Sequence, residues 1–550
     1  INIENATMTA AGSGSPIYID GPSTTNIISG SYTSNKSNGV NVYYSASNAT
    51  VNIGVEGGIP DKTNPSITGK TYGLSNNSSD VTVNFYDGVI IGPTSIYGTI
   101  TNIESGYDII TDTIDDLEHK YLDRLPVVKN KRTGTEYYSI YEGFDEAENG
   151  DTLELMRNFS LSSTGEPITI ESGRNIIFDL KNYKINQDNS SLFINNGTLT
   201  VKSNGEEGSI ESSSGSMFIN NGTLNIESGN YLNSKTCTIL TNNETATTNI
   251  SDSTFTGDGT MIANDGIINI DDSRFERRVI VHTFVITNSE TGTISMNNAE
   301  IFNAGYDSTI VNSGTLEMTD AIVDLERYDG CSLCYGPNTT LIENRATGTA
   351  TVTRGQFGKT VPKGIVIKNA GVADLIDLDS DLYGGSSNSG TLTVTGGTYS
   401  NTSFTSSAGT LNISGATITH YGSSAIVITG GDANVDNSTI TENQSGDYAI
   451  RAKGSGTINL NSGTFNSKSS SVYIEESPTV NVGIKGGTPS KTDPKLNGTT
   501  YGIYNKSSTS TVNFYDGVII GQTSIYGGIN EIEPNYEVIS ETVEDKEHKY

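Results

Sequence analysis

The stretches NNGTLNIESGNY at 220–231, NSGTLTVTGGTY at 388–399 and SAGTLNISGATI at 407–418 decide the fold of this chain. They share one template. Two small or polar residues and Gly-Thr form a first turn, a short strand follows in which apolar and polar residues alternate, and a second turn then precedes an apolar or aromatic residue. Variants of the template occur at 195–201, 265–275, 312–318, 346–357 and 454–465. The spacing is 19 residues from Leu392 to Leu411, 22 from Ile458 to Val480 and 25 from Leu199 to Leu224. A repeat of this length built from short strands predicts a solenoid.

The alternation within each TLxI segment turns one face of a short strand inward. One coil cannot bury that face, but coils stacked about 4.8 Å apart bury it and pair their backbone groups. Glycine and asparagine at the corners tolerate the left-handed φ values of sharp bends. We therefore predict an all-β, right-handed parallel β-helix. A leucine-rich horseshoe would need a longer leucine consensus, and a β-sandwich has no reason to repeat one motif at this spacing.

Composition narrows the functional classes. The 550 residues contain 63 Asp and Glu against 32 Lys and Arg, for a formal net charge of -31, and 33% are hydrophobic. Nucleic acid is not an expected partner, because proteins that bind nucleic acid need basic surfaces. No apolar run reaches the roughly 18 residues of a membrane-spanning helix. Three cysteines do not make a disulfide framework. The start at Ile1, without Met or signal peptide, suggests a processed or excerpted chain.

A longer repeat lies over the short one. The sequence beginning VNIGVEGG at Val51 returns as VNVGIKGG at Val480, 429 residues later and without gaps, through the EHKY segments that end at Tyr121 and Tyr550. Within TVNFYDGVIIGPTSIYG only Pro93 differs from its counterpart, Gln522. We interpret 1–121 as the end of one β-helix unit and 122–550 as a complete unit. The pattern suggests a window of a longer array.

The complete unit is expected to open with a distinct segment, 122–165, followed by coils over 166–479 and terminal coils with a junction segment over 480–550. Ile140, Phe144 and Ala147 fall on one face of a short helix that Gly150 ends. This helix, followed by NGDTLELMRN at 149–158 and SGRNIIFDLKNYKI at 172–185, resembles the start of right-handed β-helix domains of the pectate-lyase-like superfamily. The resemblance implies a helix that caps the N-terminal end of the solenoid.

The same superfamily contains lyases and hydrolases as well as surface proteins, so we searched for catalytic residues. Polysaccharide hydrolases of this fold carry Gly-His-Gly and Arg-x-Lys segments. Gly-His-Gly does not occur here, and the one Arg-x-Lys match, Arg451-Ala452-Lys453, stands without it. The segment NIDDSRFERRVIVHTF is the richest in acids, bases and histidine. It contains Asp271, Asp272, Arg277 and His282, and an acid–base pair on a coil could cleave a glycosidic bond. The alternative interpretation is a solvated segment whose charges pair with each other, and we favour it.

Calcium is the only cofactor that the sequence suggests, at the carboxylates of Asp374, Asp377, Asp379 and Asp381. Their spacing is not that of a helix–loop–helix calcium site, and an exposed acidic strand edge explains it equally well. Cys331 and Cys334 form an isolated CxxC, for which zinc would need another cysteine pair. A local disulfide and two free thiols both remain open.

The nearly identical unit ends suggest a joint between units. Aromatic residues there offer contact area: Phe85, Tyr86, Tyr97 and Tyr121, with their counterparts Phe514, Tyr515, Tyr526 and Tyr550. The expected partners are neighbouring units or copies of the chain, and glycans, which Tyr, Ser, Thr and Asn side chains can bind. The sequence predicts a structural, extracellular or cell-surface bacterial protein forming a rod, stalk or filament, adhesive or self-assembling, rather than an enzyme. A polysaccharide lyase or hydrolase of the same fold is the alternative.

Overall fold

The computed structural model describes residues 1–161, 165–187, 191–204, 208–234, 237–279, 282–325, 339–358 and 364–550. It divides into two units: unit 1 comprises Ile1–Val127 with Tyr137–Ser139, and unit 2 comprises Val128–Glu136 with Ile140–Tyr550. Each unit is a parallel β-solenoid, and together they contain about 21 turns. A full coil contributes one strand to each of three sheets, which we name first, second and third in chain order.

Unit 1 has short versions of the three sheets. Its first sheet consists of Asn2–Ile3, Thr24–Ile27, Thr50–Ile53, Thr82–Phe85 and Asn102–Ile103. Its second sheet consists of Ala6–Ala10, Gly30–Ser34, Ser66–Gly69 and Val89–Gly92, followed by the hairpin strands Asp108–Ile114 and Leu117–Asp123. Its third sheet consists of Ile17–Ile19, Val40–Val42, Tyr72–Asn76 and Thr94–Tyr97.

Unit 2 has long versions of the same sheets. The 19 strands of its first sheet are Val128–Asn130, Glu136–Tyr137, Thr152–Leu155, Asn175–Asp179, Thr198–Lys202, Thr223–Ile226, Thr247–Ser251, Ile267–Asp271, Thr293–Asn297, Thr315–Thr319, Thr349–Thr353, Val372–Ile376, Thr391–Thr395, Thr410–Ser414, Asp432–Asp436, Thr457–Leu460, Thr479–Val482, Thr511–Phe514 and Glu531–Ile532.

The 18 strands of the second sheet of unit 2 are Phe159–Leu161, Lys184–Gln187, Ser209–Ser212, Gly229–Asn233, Ser253–Gly257, Arg274–Arg277, Glu300–Asn303, Ile322–Leu325, Gln356–Phe357, Asp379–Asp381, Thr398–Ser400, Thr417–His420, Ser438–Glu442, Gly463–Ser467, Lys495–Gly498, Val518–Gly521, Ser540–Val543 and Lys546–Lys549. The 16 strands of its third sheet are Ile168–Ile170, Ser191–Asn195, Ser216–Asn220, Leu240–Asn242, Ile262–Asn264, Ile286–Asn288, Ile310–Asn312, Thr340–Asn344, Ile365–Asn369, Gly385–Asn388, Ser403–Ser406, Ile426–Ile428, Ile450–Ala452, Ser470–Ile474, Tyr501–Asn505 and Thr523–Tyr526.

The core is a set of inward columns in which the same position of each coil stacks on the next. Leu392 pairs with Leu411, Leu199 with Leu224 and Ile458 with Val480, so the predicted register is confirmed. Aromatic residues form a similar column in the second sheet, where the rings of Tyr231, Phe255 and Phe275 stack with centroids 5.0 Å apart. Thr and Asn of the same strands point outward, because successive side chains alternate between the two faces.

A second inward column is polar and was not expected from the sequence. It is built from nine asparagines, each at the end of a third-sheet strand, whose side-chain Nδ2 donates to the Oδ1 of the next at 2.7–2.9 Å: Asn195, Asn220, Asn242, Asn264, Asn288, Asn312, Asn344, Asn369 and Asn388. We call this column the asparagine ladder. All nine are buried, and the ladder supplies the hydrogen bonds that buried amides require, except at the Oδ1 of Asn195, which begins the ladder and accepts none from the described residues.

The corners use two devices. Between the first and second sheets most coils place a residue at positive φ. The predicted glycine or asparagine occurs at Asn298, Gly396, Gly415 and Asn437, whereas an aspartate or arginine takes this conformation at Asp252, Asp272, Asp320, Arg354 and Asp377. Between the third and first sheets glycine is needed for a different reason. A Cβ on Gly371 would lie 2.2 Å from the carbonyl oxygen of Gly348, so this corner requires close backbone approach.

One α-helix occurs in the described residues, Ile140–Glu146, near the start of unit 2. Ile140, Phe144 and Ala147 are buried, as the sequence predicted. The Phe144 ring contacts those of Phe178 and Phe193, with centroids 5.2 and 5.5 Å apart. The helix therefore packs its apolar face against core residues of the early coils. None of the described helical residues forms a segment long and apolar enough to cross a membrane.

Both ends of unit 2 carry an antiparallel strand in an otherwise parallel architecture. At the start, Val128–Asn130 pairs antiparallel with the first-sheet strand Thr152–Leu155. At the end, Lys546–Lys549 folds back in a hairpin and pairs antiparallel with the second-sheet strand Val518–Gly521. Unit 1 ends in the same way, with Leu117–Asp123 against Val89–Gly92. We call these two C-terminal elements the terminal hairpins.

Candidate functional site

The acid–base segment chosen from the sequence is spread over different surfaces. Asp271 is exposed at the end of a first-sheet strand, in register with Ser251 and Asn297. Asp272 is the left-handed corner residue and accepts a hydrogen bond from the side-chain Nδ2 of Asn298. His282 is exposed; its Nδ1 lies 3.5 Å from the Asp307 carboxylate, and its ring stacks on Tyr306.

Arg277 lies inside the solenoid. Its side chain is fully buried, and Nη2 donates to the carbonyl oxygen of Gly259 at 2.8 Å. Further bonds reach the carbonyl oxygens of Thr283 and Phe284. Burial lowers the pKa of the guanidinium to about 10, because desolvation disfavours the charged form. The arrangement fixes a corner of the backbone, and it does not bring Arg277 together with Asp271 or Asp272.

The other charges of this segment pair with each other. Arg274 donates through Nη1 to Glu300 at 2.7 Å, and Arg278 donates through Nε to Glu276 at 2.6 Å. The Arg274 guanidinium also lies 4.1 Å from the centroid of the Phe302 ring. Arg278, and then Arg274, lower the pKa of Glu276. For these residues the arrangement matches the alternative interpretation, a set of surface ion pairs.

The four aspartates proposed for calcium lie on different parts of the coil. Asp374 is on the first sheet, Asp377 is the left-handed corner residue, and Asp379 and Asp381 are on the second sheet. Asp381 accepts a hydrogen bond from Nδ2 of Asn401 at 2.7 Å. Across the described ranges of the chain, no three His, Cys, Asp or Glu side chains are grouped so that they could hold a metal ion. Calcium binding here stays a prediction from sequence.

Cys331 and Cys334 lie outside the described residues. Cys237 has a free thiol and is partly buried.

The aromatic residues chosen for a joint occupy several environments. Phe85 and Phe514 are buried in the core of their own units, and Tyr515 is nearly buried and donates through Oη to Glu531 at 2.8 Å. Tyr86 is half-buried. Tyr97 and Tyr526 are each about half exposed, at 48% and 51%.

The last two residues of this set belong to the terminal hairpins. Tyr121 donates to Asp112 at 2.6 Å, and this bond raises the pKa of the phenol to about 12. Tyr550 lies beside His548, with Oη 3.5 Å from Nδ1.

Each terminal hairpin is fastened by a glutamate that the sequence interpretation did not single out. In unit 1 the Glu118 carboxylate accepts hydrogen bonds from the backbone N–H and the hydroxyl of Ser95, at 2.8 and 2.7 Å. In unit 2 the Glu547 carboxylate accepts the same two bonds from Ser524, both at 2.8 Å. We call these contacts the hairpin clamps. The signal was present in the sequence, since both residues recur at the same spacing in the two copies.

The clamps are charge-dependent. The Ser95 hydroxyl and N–H, and then Lys120, lower the pKa of Glu118 to about 2. Burial alone would raise the pKa of Glu547, but the bonds from Ser524 and Lys549 outweigh it and lower the pKa to about 2. At neutral pH both carboxylates are therefore ionised while the clamps are formed.

The outward face of the third sheet in unit 2 carries a column of tyrosines near its end. Tyr473, Tyr504 and Tyr526 occupy one register position on successive coils. Their ring centroids are 5.4 and 4.9 Å apart. We call these three residues the tyrosine column. Arg451 precedes them in the column and donates through Nη2 to Glu475 at 2.8 Å.

No protein-family model matches the chain, and no curated protein matches it. The class that its own structure defines is the parallel β-solenoid repeat protein.

Proposed function

We propose that this chain is part of a repetitive structural protein of the bacterial exterior, in which β-solenoid units form a rod, stalk or filament. The observation that carries the proposal is the duplicated unit end. Two copies 429 residues apart have nearly the same sequence and the same terminal hairpin, clamped in the same way. An array of modules needs the same closing structure at the end of each module. An enzyme needs a single reactive centre, which does not require a duplicated end.

The surface chemistry also suits an exterior role. Thr and Asn of the first sheet form outward rows, and the outward asparagines bond from coil to coil, as Asn249 does to Asn225 at 2.9 Å. Such faces are polar and regular, and the net charge of -31 keeps like surfaces apart. These features favour a rod with solvent-exposed faces. They argue against nucleic acid as its partner and against burial of these faces in a membrane.

Antibodies raised against unit 2 test the location. We expect them to label intact cells of the source organism without permeabilisation, and brief protease treatment of whole cells to remove the label. Electron microscopy of the released material should show elongated particles. Labelling that appears only after permeabilisation would contradict an exterior role. Clear turnover of acidic polysaccharides, lost in an Asp271→Asn variant that still folds, would instead favour the enzymatic alternative.

Glycan adhesion is a second candidate, which the tyrosine column favours. Tyr526 is about half exposed and lies at the end of the column, beside hydroxyl-bearing neighbours that can hydrogen-bond sugars. A glycan array probed with the full chain tests it, with Tyr526→Ala expected to lose the signal. Tyr421→Ala is the matched control, because Tyr421 is equally exposed at 51% and lies outside the column. Equal binding by both variants would remove this candidate.

A further inference from the structure

The outward face of the third sheet in unit 2 carries more aromatic rings than the tyrosine column alone. Tyr448 stacks on Tyr473, with ring centroids 4.2 Å apart and an angle of 6° between the ring planes. Tyr501 stacks on Tyr504 at 4.8 Å and 13°. We call the column together with Tyr448 and Tyr501 the tyrosine face. Its five rings form one continuous series of contacts that ends at Tyr526.

Most of the tyrosine face is accessible to a ligand. Tyr526 is about half exposed, and Tyr448, Tyr501 and Tyr504 are partly exposed. Tyr473 is buried between Tyr448 and Tyr504. Four rings therefore offer contact area, and Tyr473 holds two of them in position.

Unit 1 carries small polar residues at two positions of the column. Ser75 stands where unit 2 has Tyr504, 429 residues later, and Asn41 occupies the register position of Tyr473. The strands around these positions pair in the same way in both units. The coil therefore does not need aromatic rings at these positions in order to fold, which favours a binding role for them in unit 2.

The charges beside the tyrosine face are paired. Arg451 donates to the Glu475 carboxylate through Nη2 at 2.8 Å and Nε at 3.1 Å, and Lys453 Nζ lies 4.0 Å from the Glu476 carboxylate. The nearby Asp447 adds a negative charge, and the chain as a whole carries -31. This potential repels an acidic polymer, and a neutral ligand avoids the repulsion.

The chemistry and length of the face suit a linear sugar chain. Tyrosine rings stack on the apolar C–H faces of sugar rings, and their hydroxyls hydrogen-bond sugar hydroxyls. A β-linked glucose chain presents such C–H faces along its whole length, because its hydroxyls are equatorial. Tyr448 and Tyr526 lie on the first and last of four successive coils, which are roughly 14 Å apart at a coil spacing of roughly 4.8 Å. A chain parallel to the solenoid axis reaches the whole face.

We propose that the tyrosine face of unit 2 is a binding site for a neutral, β-linked glucose-type chain that lies along the solenoid axis. Tyr504, at the centre of the face, and Tyr526 stack on successive parts of the sugar chain. Unit 1 has no equivalent site, because Ser75 and Asn41 interrupt the rings. The proposal rests on the glycan-adhesion candidate above and names its ligand class and its full site.

Calorimetric titration of the full chain with cellotetraose, a neutral β-linked glucose oligomer, tests the site. We expect Tyr504→Ser to weaken binding by about tenfold or more, because it removes the central ring. This variant carries the residue of unit 1, so the coil should still fold. Tyr504→Phe keeps the ring and should retain most of the affinity, and Tyr421→Ser, outside the face, should bind as the unmodified chain does. Unchanged binding in Tyr504→Ser, or equal losses in the serine and phenylalanine variants, would overturn the proposal.

An acidic oligomer of the same length tests the ligand class. Tetragalacturonate should bind clearly more weakly than cellotetraose, and equal or tighter binding would show that the neutral class is wrong.

Further outcomes separate this proposal from the adhesion candidate. A chain that binds glycans on an array, but with an affinity that Tyr504→Ser leaves intact, would keep adhesion and remove this site. A chain that binds no glycan would remove both. Sedimentation provides a last arm: if two copies pair and Tyr504→Ser abolishes the pairing, the occupant of the tyrosine face is a second copy and the assignment to a sugar chain is wrong.

Discussion

At the scale of single residues, the asparagine ladder shows where sequence interpretation reaches its limit. An Asn before Gly predicts a turn, and the sequence analysis placed asparagines at left-handed corners. The ladder asparagines instead end third-sheet strands with buried side chains, and none of them has positive φ. One sequence cannot separate the two uses, because both place Asn beside a corner of the coil, as Asn264 stands two residues before Gly266. The bonds depend on the coil above, and that partner lies 19 to 32 residues away.

Replacing one ladder asparagine should destabilise the solenoid. In Asn264→Ala, the Asn242 amide loses an acceptor and the Asn288 carbonyl loses a donor. We expect the free energy of unfolding in urea to fall by about 1–3 kcal/mol, the cost of leaving buried polar groups unpaired. The control is Asn249→Ala in the exposed outward row, where the change should stay within about 0.5 kcal/mol. Similar losses in both variants would mean that burial does not set the strength of the ladder.

Arg277 should likewise act through stability. Arg277→Ala leaves the carbonyl oxygens of Gly259, Thr283 and Phe284 without their donor. We expect a loss of about 3 kcal/mol in urea unfolding, as for other buried charged hydrogen-bond donors. Arg278→Ala removes a surface ion pair with Glu276 and should cost less than about 1 kcal/mol. Two variants of equal stability would contradict a structural role for Arg277.

At the scale of elements, the coil strands could be predicted and the terminal hairpins could not. The repeated TLxI pattern fixed which residues point inward, and the pairing of Leu392 with Leu411 follows from that pattern alone. Nothing in the EHKY segments gives strand direction, because antiparallel pairing depends on a tight return through Asp545 and Glu544, both at positive φ. The duplication led us to interpret these segments as a joint between units, and in the structure each forms a terminal hairpin.

The hairpin clamps predict a pH dependence. The folded-state pKa of Glu547, about 2, lies below the usual value of 4.5. A lowered pKa gives stability that is present above the unfolded value and lost as the pH falls through the folded one. Hydrogen-exchange protection of residues 540–549, referred to an unfolded standard at each pH, should therefore fall several-fold between pH 4.5 and about 2.

In Glu547→Gln the protection should be lower at neutral pH and nearly flat across this window. Glu541→Gln, on the exposed strand of the same hairpin, serves as the control and should follow the unmodified chain. If the Glu547→Gln variant kept the full pH dependence of protection, the clamp would not be its cause.

At the scale of the whole molecule, each coil is a nearly independent layer, so coils are expected to be removable in register. Thr391 pairs with Thr410, so deleting 391–409 removes one complete 19-residue coil and leaves the next strand in place. We expect the circular dichroism spectrum to be retained and the urea midpoint to change little, because solenoid stability is roughly a sum of neighbouring-layer terms.

Deleting 396–404 is the matched control, since it removes half a coil and breaks the register between the coils before and after the deletion. We expect a large loss of ordered strand signal in this variant. Equal behaviour of the two deletions would show that register between coils is not what holds the solenoid together.

The reversed strand at the end of the second sheet has one more consequence. A parallel stack offers at its last layer the same template that built it, so such an object has no intrinsic stopping point and resembles a growing fibril. Turning the final strand around changes the pattern of donors and acceptors on that edge. Each terminal hairpin therefore leaves the second sheet with an edge unlike the one on which the parallel coils stack, and we expect that edge to disfavour the addition of a further parallel strand.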